Sequence, residues 1–589
     1  MATLVTRYLP ADRVHALAAG TPLETTATGS ALFADISGFT PVTEKLRQAL
    51  GARRGAETLA SHLNRVYDAL IAQVDRFGGS IISFAGDAIT CWFAGDDAAL
   101  HAAACAFALL EAMQTAAEIP LPSGETALLG LKVSLATGTT RRFVVGDPHI
   151  QQLDALAGAT IARMASGEGE AERGEVVADV ATVEALSTAA RVRVWREAGG
   201  ERFAVLEHSE AFPAVPSAMP FPASSLDDAL ARSWLLPAVA AHFEAGLGEY
   251  LTELRPAVAL FVRFTGIDYD HDPDAEASLD RFVRLVQRVV VRSEGSVLQL
   301  TIGDKGSYLY AAFGAPFAHE DDIIRALDAA LEIRAEAAQL GYLDPLQIGI
   351  SQGTMRTGAY GGETRRTYGV LGDEVNLAAR LMAQAAPGEI LLSETVAGAR
   401  LAGFALEALA AVQVKGKARP IGLFRLLGRR EGSFEARFYT TALVGREDEL
   451  AVVQAAFQPL FAGRHAGIIY VNGEPGMGKS RLAFEAQRRL PPEAPVTWLT
   501  GQADQLNRAP LSAFRYFLRP YFGQHREVDT ARNLAAFETA FAGLVALSDD
   551  SNRADLLLYR SYLAGVVGLV ISDSPYAAAD ERLRIDNSL

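Results

Sequence analysis

Two carboxylates and two polar residues far downstream carry the chemistry of this sequence. Asp35 ends an apolar run, ALFADISGF (31–39), that reads as a strand. Asp87 sits in the tight turn of GGSIISFAGDAITCWFAG (78–95), which reads as two strands around Gly86-Asp87. An aspartate at a strand end, followed by Ser37-Gly38 and a helical segment, suits a metal ion and a phosphate together. The metal takes the carboxylate oxygen, and the turn and helix start offer free backbone N–H groups. Locally, an Asp before a helix is also a plain N-cap, and Gly-Asp is ordinary turn chemistry. Asn376 and Arg380, in GDEVNLAAR, share one helix face, and Asn in mid-helix is disfavoured enough to want a reason. A local cap for Asn376 and a surface salt bridge for Arg380 are the alternatives. Lys132 and Lys305 lie on strand-like segments, where each also reads as a solvated charge.

The elements that must position these residues occur twice. A strand, a helix with Leu59, Leu63, Val66, Tyr67, Leu70 and Val74 at helical spacing, a hairpin, an Ala-rich helix at 98–117 and the strand 128–137 follow one another. ALFVRFTGI at Ala259 then parallels ALFADISGF, and EGSVLQLTIGDKGSYLYAAFG at Glu294 parallels the first hairpin. LQIGISQGTM at Leu346 parallels LKVSLATGTT at Leu131, and GEILLSETVA at Gly388 parallels GEVVADVATV at Gly174. Four matches in one order indicate duplication of a whole α+β domain. The expected organisation is an N-terminal segment 1–28, a first domain 29–208, a linker 209–255, a second domain 256–430 and a third unit 440–589. Within the linker, 209–223 reads as Pro-rich and extended, and 224–250 as helical.

The copies have diverged in a complementary way. Arg263 stands in the second copy where the first has Asp35, and Ala159 and Arg163 stand in the first where the second has Asn376 and Arg380. Two copies facing each other about a pseudo-two-fold axis make two clefts. Only one receives the first copy's carboxylates and the second copy's Asn and Arg, so no dimer is required to complete it.

The third unit opens with LVGREDEL. The stretch Gly467–Val471 reads as an apolar strand, and Gly473, Glu474, Pro475, Gly476, Met477, Gly478, Lys479 and Ser480 fit G-x-x-x-x-G-K-[ST] ahead of a helix. In such a phosphate loop backbone N–H groups wrap the phosphates, the Lys reaches the terminal ones and the Ser holds magnesium. No hydrophobic strand ending in acidic residues follows, so nucleotide binding is expected there without hydrolysis, and the sequence reads as stopping partway through an α/β NTPase domain. The third unit is also where a protein partner is expected.

Bulk composition narrows the function. A net charge of −16 argues against a general nucleic-acid binder. Two cysteines, Cys91 and Cys105, have no disulfide or zinc spacing and fit a reducing cytosol. The N-terminus lacks a signal-peptide core, and the apolar run 562–571 is too short to span a bilayer, so a cytoplasmic protein without membrane association is expected.

FADISGFT, FAGDA and GDEVNLAARLM resemble the signature blocks of class III nucleotidyl cyclases. Two fused, non-identical copies followed by VGRE and a phosphate loop resemble the soluble adenylyl cyclase type. The resemblance implies a pair of ferredoxin-like α+β domains that converts ATP to 3′,5′-cyclic AMP and pyrophosphate with two magnesium or manganese ions. It implies metal binding by Asp35, Asp87 and the Ile36 carbonyl, and places Ser37, Gly38 and Phe39 against the substrate. Lys132 is implied near the triphosphate, Lys305 at the adenine edge, Asn376 at the ribose and Arg380 at the transition state. Guanylate cyclase is the neighbouring alternative; a signalling ATPase or scaffold whose cyclase pair only binds nucleotide is the alternative from another class. Two positions depart from the pattern. Gly369 stands where the second base reader is expected, leaving a backbone group or Thr367 to act. Ser83 stands where the soluble type has a lysine of its bicarbonate pocket, to which Arg163 would be the other contributor.

Overall fold

The four sequence repeats become matching strands of two sheets. The first copy runs β1 (Thr26–Ser37), β2 (Ser80–Ala85), β3 (Ala88–Ala94), a small hairpin of β4 (Glu118–Pro120) and β5 (Thr126–Leu128), β6 (Gly130–Val145), β7 (Leu153–Ala157), β8 (Val176–Asp179), β9 (Arg191–Ala198) and β10 (Glu201–Glu207). The second runs β11 (Glu253–Phe264), β12 (Ser296–Thr301), β13 (Ser307–Phe313), β14 (Gln347–Gly361), β15 (Arg366–Leu371), β16 (Ile390–Ser393), β17 (Phe404–Val412) and β18 (Ile421–Arg429). Strand orders are β2-β3-β1-β6-β8-β10-β9 and β12-β13-β11-β14-β16-β18-β17, with β7 paired to β6 and β15 to β14. Identical order in both sheets is what duplication of a whole domain produces. The computed structural model describes residues 5–213 (save 123), 232–244, 253–319 (save 304 and 305), 321–429 (save 400, 402 and 413–419) and 443–491 (save 444 and 474–477). Beyond these it describes mainly 511–524, 530–569 and 574–579.

Alternation along β1 explains its place at the centre. Leu32, Ala34 and Ile36 face one core with the helices Phe39–Arg76 and Ala98–Ala116, while Ala31 and Phe33 face the other with Ile161 and Met164 of the helix Ala159–Glu170. Asp35 shares the parity of Ala31 and Phe33, so it emerges on the side of the shorter helix. In the second copy the helix Asp373–Gln384 packs Val375, Ala378 and Met382 against Phe261 and Tyr310. Ala98–Ala116 is the one described helix long and apolar enough to cross a membrane; here Ala102, Cys105 and Leu109 lie in the first copy's core. Cys91 and Cys105 are free and buried.

The chain divides into two compact units. One is Met1–Ala399 with Leu406–Leu427, which holds both copies, and the other is Arg400–Ala405 with Gly428–Leu589. In the latter, the helices Glu447–Phe461, Lys479–Arg488, Ser512–Tyr521, Thr530–Leu547 and Asp550–Val566 are described. Phe522, Phe537, Phe541, Ala564 and Val567 make its core. Two expectations are corrected. Residues 467–471 are not a strand: Ile468 is 96% and Tyr470 84% exposed. Among the described residues from 443 onward there is no strand for this run to pair with, and a lone strand leaves its N–H and C=O groups to water. Of the helix expected over 224–250 only 232–244 lie within the described residues, and there a turn at 233–235 interrupts it before the helix Pro237–Glu244.

Candidate active site

Backbone register brings the first copy's polar residues together. Asp35 pairs with Ala88 across β1–β3 and with Lys132 across β1–β6. The Ile36 N–H donates to the Asp87 carbonyl at 3.2 Å, fixing the hairpin turn beside Asp35. The buried Tyr67 hydroxyl donates to the Gly86 carbonyl at 2.7 Å and holds the turn from the helix side. Lys132 Nζ lies 3.4 Å from Asp35 Oδ2 and also pairs with Glu168 of the helix Ala159–Glu170. Glu168 escaped sequence reasoning because its link to Lys132 depends on how that helix crosses the sheet.

The electrostatics suit a cation. Burial raises the Asp35 carboxyl above its ordinary range, with Lys132 opposing the shift. Burial, then the Asp35 charge, pushes Asp87 up to about 7. Two partly buried carboxylates that destabilise each other gain from a shared hard cation, and with the Ile36 carbonyl they offer oxygen donors of the kind magnesium and manganese take. Among the described residues no group of three or more His, Cys, Asp or Glu gathers as a metal cluster, so a metal here would rest on this pair. Beyond Ser37, Gly38 has φ +95°, which favours glycine, and it stands at the N-cap of the helix that begins at Phe39. The unpaired N–H groups of that first turn are where a phosphate would bind.

The second copy contributes a helix face and a hairpin. Asn376 is exposed and Arg380 half-buried on the helix Asp373–Gln384, opposite its core residues. Gly369 lies on β15, and a Cβ there would stand 2.6 Å from Tyr360 Cε1. The Tyr360 ring therefore fills the space a base-reading side chain would need. The Thr367 hydroxyl is turned to the Tyr368 carbonyl at 3.4 Å. Lys305 lies outside the described residues.

The hairpin between β14 and β15 grips the first copy where Asp87 is carried. Tyr360 packs against Tyr67 and Phe84 with ring centroids 6.0 and 5.8 Å apart. Glu363 N–H donates to Asp68 at 2.8 Å, and the Thr364 hydroxyl to Asp75 at 2.7 Å. Buried Arg365 donates from Nε to Ile81 O at 3.1 Å and from Nη2 to Ile82 O at 3.2 Å, over the Phe84 ring. Those carbonyls lie at the β2 irregularity, where the register with β3 shifts between Ile81 and Ser83. The sequence signal was a strand-to-strand loop, GGETRR; which copy it reaches is a tertiary fact.

The second cleft is filled differently. Asp270 accepts from the Ala159 N–H at 3.0 Å, and Arg141 donates to the carbonyls of Tyr269 and Asp272 at 3.2 and 2.6 Å. Ser83 lines a cavity of about 270 Å³ with Arg263, Glu168 and Met382. Arg163 is not in its wall: its guanidinium donates to Asp179 at 2.8 Å and to the Thr137 carbonyl at 3.1 Å. Here Arg163 is held by the buried Asp179 and does not share this cavity with Ser83.

In the second unit, Gly478 has φ +89° and N-caps the helix Lys479–Arg488, as a phosphate loop requires. Lys479 Nζ donates to the Gly473 carbonyl at 2.8 Å, folding the lysine back over the loop. Glu474, Pro475, Gly476 and Met477 lie outside the described residues.

Comparison with known proteins places these segments. Residues 264–427 match the adenylate and guanylate cyclase catalytic domain family, and residues 442–585 match the AAA ATPase domain family. Human adenylate cyclase type 10 is 25% identical over 502 residues, covering 78% of this chain and 30% of that protein. The rat protein of the same name is 24% identical over 500 residues, again with 78% and 30% coverage. The chain thus spans about a third of the length of these curated relatives. Among solved structures, a class III adenylyl cyclase-like ATP-binding protein from Pseudomonas aeruginosa aligns at 13% identity and TM-score 0.44, covering 66% of this chain and 91% of the other.

Proposed function

From residues 264–427 as a cyclase catalytic domain and the like-folded copy before it, we propose that this chain is an adenylate cyclase. It would convert ATP to 3′,5′-cyclic AMP and pyrophosphate in the cleft between its two copies, for intracellular signalling in the cytoplasm. The observation that carries this reading is the Asp35–Asp87 pair, held side by side in the first copy, together with Asn376 and Arg380 on one helix of the second.

Asp35, Asp87 and the Ile36 carbonyl would hold magnesium or manganese, two ions in our reading, supplying acidification of the 3′-hydroxyl and neutralisation of phosphate oxygens. The chain's own groups do the rest. The Ser37-Gly38 turn and helix start receive phosphate oxygens on backbone N–H groups. Lys132 neutralises phosphate charge; to do so it exchanges its contact with Glu168 or Asp35 for the substrate. Asn376 orients the ribose, and Arg380 donates a forked pair of hydrogen bonds to the α-phosphate as charge builds there. Adenine reading falls to Lys305 and to backbone near Gly369, because Tyr360 occupies the side-chain space at 369.

The 473–480 loop would be a second nucleotide site, used for binding, and a surface of that unit for a protein partner. The test is product identity. The purified chain is incubated with ATP or GTP and manganese, and cyclic nucleotide is identified by mass. Cyclic AMP is expected; folded, nucleotide-bound chain that forms neither cyclic nucleotide would remove the enzyme reading in favour of a binding scaffold.

A further inference from the structure

Arg356, on β14, is a buried cation without an anion beside it. It is only 8% exposed and lies 5.8 Å from the Tyr360 ring centroid. Among the described residues it makes no hydrogen bond and no ion pair. A guanidinium taken out of water without an anion or acceptor is costly, and burial pushes this one below its ordinary range. Such a residue persists where something else comes to it.

Its surroundings say what comes. Arg356 shares its neighbourhood with Tyr67, which also feels the charges of Asp87 and Asp35. Tyr360 packs on Tyr67, whose hydroxyl holds the Gly86 carbonyl, so Arg356 lies close, on the second copy's side, to the turn that carries Asp87. The duplication gives an internal reference. In the repeat that aligns Leu131 with Leu346, the counterpart of Arg356 is Arg141. Arg141 is satisfied: it donates to the carbonyls of Tyr269 and Asp272, in the loop that follows β11. The equivalent stretch in the first copy, which follows β1, is the Ser37-Gly38 turn and the start of the helix at Phe39. Where Arg141 meets protein carbonyls, the repeat symmetry would aim Arg356 at the turn expected to cradle phosphate.

We propose that Arg356 is a ligand of the substrate's phosphate tail, donated by the second copy into the working cleft. This rests on the nucleotide-cyclase reading and adds a residue to it. A planar guanidinium binds two phosphate oxygens at once, and it would follow the charge onto the pyrophosphate as the α-phosphate bond breaks.

The test uses the full chain carrying Lys479→Ala, which takes the phosphate-loop lysine out of the titration. Binding of 3′-deoxyATP, which lacks the attacking hydroxyl, is measured calorimetrically with magnesium. Arg356→Met should weaken it by on the order of tenfold or more, and Arg141→Met should leave it unchanged. Arg356→Lys, which keeps the charge without the fork, should fall between; if the Met variant does not fold, the Lys variant carries the test. Unchanged affinity in the Arg356 variants overturns the proposal. An equal loss in Arg141→Met also overturns it, by assigning the effect to sheet packing. No binding by the Lys479→Ala parent overturns the cyclase-site reading itself, a different result from either.

Discussion

The Tyr67 hydroxyl donates to the Gly86 carbonyl at 2.7 Å, tying the long helix of the first copy to the turn that presents Asp87. The same ring meets Tyr360 of the second copy. The position of Asp87 is thereby linked to the contact between the copies. Tyr67→Phe removes the donor and leaves the ring. The net value of such a bond is about 1 kcal/mol, or roughly fivefold in an equilibrium constant. The manganese concentration for half-maximal product formation should rise by about that factor. An unchanged metal requirement would mean the turn is held without Tyr67.

Arg365 is a buried cross-copy contact. It reaches Ile81 O and Ile82 O at the irregularity in β2, and burial pushes its guanidinium down to about 10. Arg365→Met strands two carbonyls but also relieves a buried charge, so the losses partly offset. A net destabilisation of about 1–3 kcal/mol is expected from urea unfolding of the full chain. A stabilised variant would mean that burial of the charge outweighs the clamp.

Gly369 and Tyr360 compete for one space. Gly369→Thr should destabilise by about 1–3 kcal/mol through overpacking. Tyr360→Val should make room for it, so the double variant is more stable than the two single effects predict. A double-mutant cycle by thermal unfolding measures this. Additive effects would show that the two side chains do not share the space.

Most of the architecture was legible because strand patterns repeat. ALFADISGF and ALFVRFTGI became β1 and β11, central in sheets of identical order. The strand end at Asp35 and the hairpin turn at Asp87 were legible as local features, and the resemblance to class III cyclases paired them. What the sequence hid is tertiary. Glu168 beside Lys132, and Arg365 on the carbonyls of β2, join residues whose meeting depends on helix crossing and on how the two copies face each other. The 467–471 run misled for the opposite reason. Apolar composition marks a strand only where another strand is present to pair with it.

The central claim is that one working site is built from halves of both copies. The direct measurement is cyclic AMP formation, identified by mass, by the wild-type chain and by Asp35→Ala and Arg380→Ala, each checked for native folding. The account predicts cyclic AMP from the wild type and a fall of about 10²-fold or more in kcat in each variant, although one residue lies in each copy. Retention of wild-type kcat by either variant would contradict it.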